Sequence, residues 1–214
     1  MDEAPGRRVA ALPGVILEVD TPHGLARVHL HAAVEPRGAL VLGHGAAGGV
    51  TSRDLVAVTQ VGRSEGFSVA LVEQPYRVAG RRSPAPARQL DAGWTAVVHH
   101  LRAGALRDLS LIAGGRSSGA RVACRTAEAT GAVAVLCLAF PLQPPRRSTP
   151  APSRLPELDD VTLSTLVVQG RRDQFGMPPA TALRRVVEVP GDHSLRTDLE
   201  AVGEAVRAWL PLVV

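Results

Sequence analysis

Hydrophobic positions along the chain keep to two rhythms. Short, largely apolar runs, which suit strands buried on both faces, occupy residues 39–42, 67–73, 109–113, 132–138, 165–170 and 185–189. Helical spacing fills several of the gaps between them. Leu55, Val58 and Val61 share one side of a segment that opens at Thr51-Ser52, a natural N-cap, and runs to about Gly62. Leu90, Trp94, Val97, Val98 and Leu101 recur at i, i+4, i+7, i+8 and i+11, the stripe of an amphipathic helix. Small residues continue in helical fashion from the glycines near 119 to about 129. Leu195, Leu199, Val202, Val206, Trp209 and Leu210 predict a closing helix.

The first apolar segments differ. Residues 15–19 and 26–32 flank Thr21-Pro22-His23-Gly24, and the second sets Arg27, His29 and His31 against Val28 and Leu30. That alternation belongs to a half-exposed strand, and the Pro/Gly punctuation to a hairpin turn. Residues 76–87, rich in Arg, Pro and Gly, read as a loop. Residues 143–160 hold five prolines and read as a surface excursion with at most one short helix. Strands alternating with helices imply an α/β architecture: a mostly parallel sheet with an N-terminal antiparallel hairpin, helices on both faces and right-handed crossovers. The expected organisation is one domain over 1–214, with residues 1–12 a flexible N-terminus.

Composition narrows the class. A chain of 214 residues buries roughly 70% of its unfolded surface without staples. Its 45% hydrophobic and 21% charged content is ordinary for a globular protein, and only 3% is aromatic, so the core rests on Val, Leu and Ala. All 24 basic residues are arginine, which points to GC-rich coding bias, and they are scattered. The net charge of +4 therefore reads as solvated surface, not as a nucleic-acid footprint. Cys124 and Cys137 lack metal-like spacing and are expected as free buried thiols. His29 and His31 stand at i, i+2, but no third ligand accompanies them, so no metal site is expected. The first residues carry no apolar core of a secretory signal, and no run approaches the roughly 18 residues of a membrane span. A cytoplasmic protein with no membrane partner is the expectation.

The chemistry gathers where strands end, as it does in parallel sheets. The run Leu111-Ile112-Ala113 breaks into Gly115-Arg116-Ser117-Ser118-Gly119, a G-x-S-x-G between a strand and a helix. In that setting the motif reads as a nucleophile elbow, a sharp turn that lifts a serine above the sheet. The pattern alone is short enough to arise by chance, so its partners matter. Gly43-His44-Gly45-Ala46-Ala47-Gly48-Gly49 follows the strand at 39–42 and suits an oxyanion-hole loop; the Lys-Ser/Thr tail of a phosphate-binding loop is missing. Asp173 and His193 stand beyond the strands at 165–170 and 185–189. Ser117, Asp173 and His193 are the candidate catalytic residues, and Ser118 and Ala46 supply the candidate oxyanion-hole amides. Ser118 is the weaker nucleophile because only Ser117 has glycine at both i−2 and i+2. Asp192 is the weaker acid because an adjacent residue rarely folds back onto its neighbour's imidazole; it is expected instead to cap the last helix.

The order Ser…Asp…His, with the elbow, resembles the α/β-hydrolase superfamily over essentially the whole chain. Gly43-His44-Gly45-Ala46, Glu73-Gln74-Pro75-Tyr76-Arg77, Gly114-Gly115-Arg116-Ser117, Phe140-Pro141-Leu142, Gln169-Gly170-Arg171-Arg172-Asp173 and Asp192-His193-Ser194 resemble the small lidless hydrolases related to dienelactone hydrolases and to the testis-expressed and NSL-complex hydrolase-like proteins. Members of that group usually follow the nucleophile with Met-Gly-Gly-Arg-like residues; here the run is Ser118-Gly119-Ala120-Arg121. The resemblance implies an α/β-hydrolase fold with little or no lid.

The reading that results is a serine hydrolase acting on a small-molecule ester or thioester through an acyl-enzyme, with no cofactor, as monomer or homodimer. His44, Tyr76, Arg77, Arg116, Leu142 and Phe175 are the candidate substrate-lining residues. Two other readings stay open at this point: a non-catalytic binding or scaffold protein on a hydrolase fold, and acyl transfer to an alcohol or amine.

Overall fold

The computed structural model describes residues 14–143 and 152–214. The expected flexible N-terminus, residues 1–12, and residues 144–151 of the excursion at 143–160 lie outside them. The chain opens with a hairpin, β1 (Val15–Thr21) and β2 (Gly24–His31), whose strands run up to a two-residue turn. Gly24 takes φ 107° there, and the Thr21 hydroxyl donates to the Gly24 carbonyl at 2.6 Å. Ala26, Val28 and Leu30 are buried while the alternate residues are not, as the period-2 pattern requires.

Alternating elements follow: β3 (Ala39–Gly43), α1 (Arg53–Ser64), β4 (Ser68–Glu73), α2 (Pro75–Val78), α3 (Ala87–Ala103), β5 (Leu111–Arg116), α4 (Ser118–Thr126), β6 (Ala134–Leu138), α5 (Leu155–Asp159), β7 (Ser164–Gly170), β8 (Arg184–Val189) and α6 (Leu199–Trp209). The strands form one eight-stranded sheet in the order β1-β2-β4-β3-β5-β6-β7-β8. Pairing is antiparallel for β1/β2 and β2/β4 and parallel everywhere else. This is the α/β-hydrolase architecture that the sequence implied.

The buried strands explain themselves by feeding two cores. In β3, Ala39 and Val41 face one core and Leu40 and Leu42 the other; in β6, Val135 and Cys137 oppose Ala134, Leu136 and Leu138. The first core is closed by α3 and α4 through Trp94, Val97, Val98, Val122 and Ala123. The second is closed by α1 and α6 through Leu55, Val58, Val202, Val206 and Trp209. After β4 the chain crosses from one side of β3 to the other, so β3 and β5 flank the switch point where such sheets form their crevice.

Several elements differ from expectation at their ends. The loop at 76–87 begins as the short helix α2, started by Pro75, whose fixed φ suits a first helical turn. Leu195 is not helical: it takes φ 50°, and α6 begins at Leu199. Its N-cap is Asp198, whose carboxylate accepts from Ala201 N at 2.9 Å; Asp192 instead accepts from the Ser194 amide and hydroxyl. At α1, Ser52 holds the N-cap position without a side-chain capping bond. Among the described residues, no helix is long and apolar enough to cross a membrane.

Candidate active site

Ser117 stands between β5 and α4 with φ 52° and ψ −107°. A serine holds such a backbone only where its surroundings impose it, at a cost of about 1–3 kcal/mol. The surroundings do impose it. Ser117 N donates to Leu138 O at 2.9 Å, and the two elbow glycines press against β3. A Cβ on Gly115 would stand 2.5 Å from Gly43 O, and one on Gly119 would collide with the same peptide. Strand and helix approach so closely here that no side chain fits between them.

Asp173 and His193 follow β7 and β8, at the same carboxyl edge of the sheet. Arg172 N donates to Gly191 O at 2.9 Å, and Gly170 lies directly against the Asp192 carbonyl, so the two loops are locked together. His193 Nδ1 lies 2.8 Å from Asp173 Oδ2, and His193 Nε2 lies 2.9 Å from Ser117 Oγ. A carboxylate can only accept, so Nδ1 carries the proton and Nε2 is free to accept from the hydroxyl. The Asp173 side chain is only 1% exposed, and its Oδ1 accepts from Phe175 N at 2.9 Å. The Phe175 ring meets the His193 ring edge-on, centroids 4.5 Å apart.

The loop after β3 is held from beneath. His44 is 3% exposed; its Nδ1 donates to Gly45 O at 2.8 Å, and its Nε2 accepts from Gln74 N at 3.1 Å. These two partners require the neutral ring. Burial holds the His44 pKa below its ordinary value, with Arg77 pushing the same way against the Gly45 hydrogen bond and Glu73. The Tyr76 hydroxyl donates to Ala46 O at 3.0 Å, and burial raises its pKa. Since the Gly45–Ala46 peptide is trans, the Ala46 N–H points away from the Gly45 carbonyl that His44 holds. A Cβ on Gly45 would come within 3.6 Å of Ser117 Cβ, which sets this loop beside the serine.

The other sequence candidates fall at varied places. Leu142 is buried, with its side chain against Gly176 in the loop that carries Phe175. Arg77 lies in α2, where its charge bears on His44 and Tyr76. Arg116 is engaged: its Nε lies 2.8 Å from Asp54 Oδ2, and its Nη2 donates to His193 O at 3.0 Å. Away from this edge, His29 Nε2 lies 3.0 Å from Glu73 Oε2. Cys124 and Cys137 are free and buried, with sulfurs 3.5 Å apart.

Two residues here were not among the candidate site residues. Gln169, fully buried, donates through Nε2 to Asp173 Oδ2 at 2.8 Å, Phe140 O at 3.0 Å and Gly176 O at 3.0 Å. All three partners are acceptors, which fixes its amide orientation. Its signal was a lone polar residue inside an apolar strand. Asp54 resembles any acid in a first helical turn, so nothing in the sequence marked it.

A family model described as an alpha/beta hydrolase domain matches residues 36–200. No curated protein matches the sequence. Among solved structures, a lidless α/β serine hydrolase from Xanthomonas campestris superposes with a TM-score of 0.71 at 21% identity, covering 92% of this chain and 95% of that one. A dienelactone hydrolase from Anabaena variabilis gives 0.76 at 15% identity, covering 95% and 99%. Est1E from Butyrivibrio proteoclasticus, solved with ferulic acid bound, gives 0.76 at 16% identity, covering 92% and 98%. These similarities concern the fold, and the family match concerns the sequence itself. On that match, the chain belongs to the α/β-hydrolase family.

Proposed function

We propose that the protein is a serine hydrolase that cleaves carboxylic esters or thioesters of small to medium acyl groups through an acyl-enzyme. The observation that carries this reading is the unbroken line from Ser117 Oγ through His193 to Asp173, at 2.9 and 2.8 Å. A serine hydroxyl is a weak nucleophile until a base takes its proton. His193 Nε2 is placed to take it as Oγ attacks the acyl carbon, and Asp173 steadies the imidazolium that forms. His193 then returns the proton to the departing alcohol or thiol. In the second half, it activates water against the acyl-enzyme, and Ser117 Oγ leaves with a proton.

The oxyanion of each tetrahedral intermediate needs fixed donors. Ser118 N–H, at the start of α4, and Ala46 N–H are the proposed pair. Removing one such donor costs about 3–4 kcal/mol in the transition state. His44 and Tyr76 serve by holding the Gly45 and Ala46 carbonyls, and hence the peptide planes of that loop. Phe175, beside His193, and Leu142, in the neighbouring loop, are the proposed acyl contacts. The stretch 143–160 is short for a helical cap, in keeping with a lidless neighbour and an open site. The likeness to a dienelactone hydrolase and to Est1E solved with ferulic acid favours compact substrates over long lipid chains.

A panel of p-nitrophenyl esters from acetate to decanoate, with matching acyl thioesters, tests this. The expected result is a burst of p-nitrophenol stoichiometric with protein, kcat/KM falling beyond medium chains, and a loss of at least ~10⁴-fold in Ser117→Ala. Hydrolysis that survives unchanged in Ser117→Ala would place the chemistry elsewhere.

A further inference from the structure

The imidazole of His193 must be held to within about half an ångström of its working place, yet the residue sits on a loop, outside any helix or strand. Arg116, the residue before the serine, reaches that loop. Its Nη2 donates to the His193 carbonyl at 3.0 Å. Its Nε pairs with Asp54 Oδ2 at 2.8 Å, an ion pair rather than an aligned hydrogen bond, and its Nη1 packs against Gly45, where a Cβ would come within 2.7 Å. One guanidinium thus touches the first turn of α1, the loop beneath the oxyanion site and the loop of the base.

We infer that Arg116, anchored by Asp54, is a positioning residue that fixes His193 against Ser117, and not a substrate contact. The inference rests on the hydrolase reading above. Burial decides between the two roles. The Asp54 side chain is 1% exposed and that of Arg116 16% exposed. A guanidinium that swung out to meet a substrate would strand a buried carboxylate, which a low-dielectric interior strongly disfavours. The planar fork also explains the residue type: its edges serve a carboxylate and a carbonyl at once, whereas a lysine ammonium on a flexible stem cannot hold both in this geometry.

The test compares Arg116→Lys, Asp54→Asn and the double variant with wild type. The readouts are thermal unfolding, kcat and KM for p-nitrophenyl acetate, and the far-downfield proton resonance of His193 Nδ1–H. Lysine keeps a charge for Asp54, so Arg116→Lys is expected to fold, with kcat down ~10- to 100-fold, the loss expected of a misplaced base. KM should stay within about threefold, and the resonance should broaden as the ring loosens. Asp54→Asn should do the same, and should carry the test alone if Arg116→Lys does not fold. The double variant should be no worse than the poorer single, because the two residues act as one unit. A tenfold rise in KM with kcat intact would make Arg116 a substrate contact and overturn the inference. So would losses that multiply in the double variant, or a sharp resonance with wild-type kcat in both single variants. A wild type that hydrolyses nothing would sink the hydrolase reading instead; the resonance, sharp in wild type and broad in the variants, would still report the strut.

Discussion

At Ser117, backbone strain and the placement of the proposed nucleophile meet in one residue. The φ of 52° holds Oγ toward His193, and glycine would adopt the same backbone without that penalty. Ser117→Gly is therefore expected to abolish hydrolysis while raising stability by about 1 kcal/mol, read by urea denaturation. An unchanged or lower stability would mean that the elbow is relaxed. His44 makes a second residue-scale prediction, in pH. Its pKa in the folded protein is depressed, chiefly by burial. As pH falls through the ordinary value near 6.5, the unfolded chain takes up a proton before the folded one does. Stability is thus full above that value, declines below it, and stops declining once the folded ring is itself protonated. His44→Gln, which does not titrate, should flatten this limb of the urea-unfolding free energy between pH 7 and 5. The remaining slope there includes His31, which is shifted the same way by burial, Arg63 and His29. An acid limb unaltered in the variant would refute the assignment.

Residues of this scale were unequally legible. Ser117, Asp173 and His193 could be picked out because each follows an apolar strand, and the topology sends all such ends to one edge. Arg116 was visible as a neighbour of the serine, but its direction was not. Whether an arginine faces a ligand or a buried acid depends on Asp54, 62 positions earlier in the chain. Gln169 and Asp54 were hidden for the same reason: ordinary polar residues acquire a role only through partners brought from far away.

At the scale of elements, the packing of β3 against the elbow is the joint on which the site depends. Gly119→Ala drives a Cβ into the Gly43 peptide, backbone that cannot swing aside as a side chain would. The variant should lose about 2–3 kcal/mol in chemical denaturation, and kcat should fall with it because Gly43 leads directly into the Gly45–Ala46 peptide. Stability within 0.5 kcal/mol of wild type would contradict this close packing. The cysteines on α4 and β6 make a milder prediction. Contact with Cys124, together with burial, pushes the Cys137 thiol up, and both side chains are shielded. Neither should react with a thiol reagent until the protein is unfolded. Strand positions were legible because short, largely apolar runs have few alternatives in a parallel sheet. Helix ends were less so. Leu195 fits the apolar spacing of α6 yet takes a positive φ, because its buried side chain belongs to the second core while its backbone still turns out of the His193 loop.

Across the whole molecule, one sheet sorts its side chains into two cores and presents its loops at a single edge. Its outer layers are pinned by ion pairs. Arg121 donates to Glu157 Oε2 at 2.8 Å, and Arg125 bridges Glu157 and Asp91. Burial alone would raise the Glu157 pKa; the two arginines outweigh it and hold the pKa below the ordinary carboxylate value. The cluster's contribution to stability should therefore be present above about pH 4.5 and be lost as pH falls through the lower folded value. Acid unfolding should then show a second decline, below the one set by the histidines, and Glu157→Gln should remove it. A second decline that persists in Glu157→Gln would move its origin to other carboxylates.

The central claim is that this edge holds a working nucleophile at Ser117. Its most direct measurement is stoichiometric labelling with a fluorophosphonate, followed by peptide mapping. The account predicts one adduct per chain, on Ser117, formed at a rate that falls at least ~10³-fold in His193→Ala and absent in Ser117→Ala. Wild-type protein that is folded and stays unlabelled, or an adduct on any other residue, would contradict it.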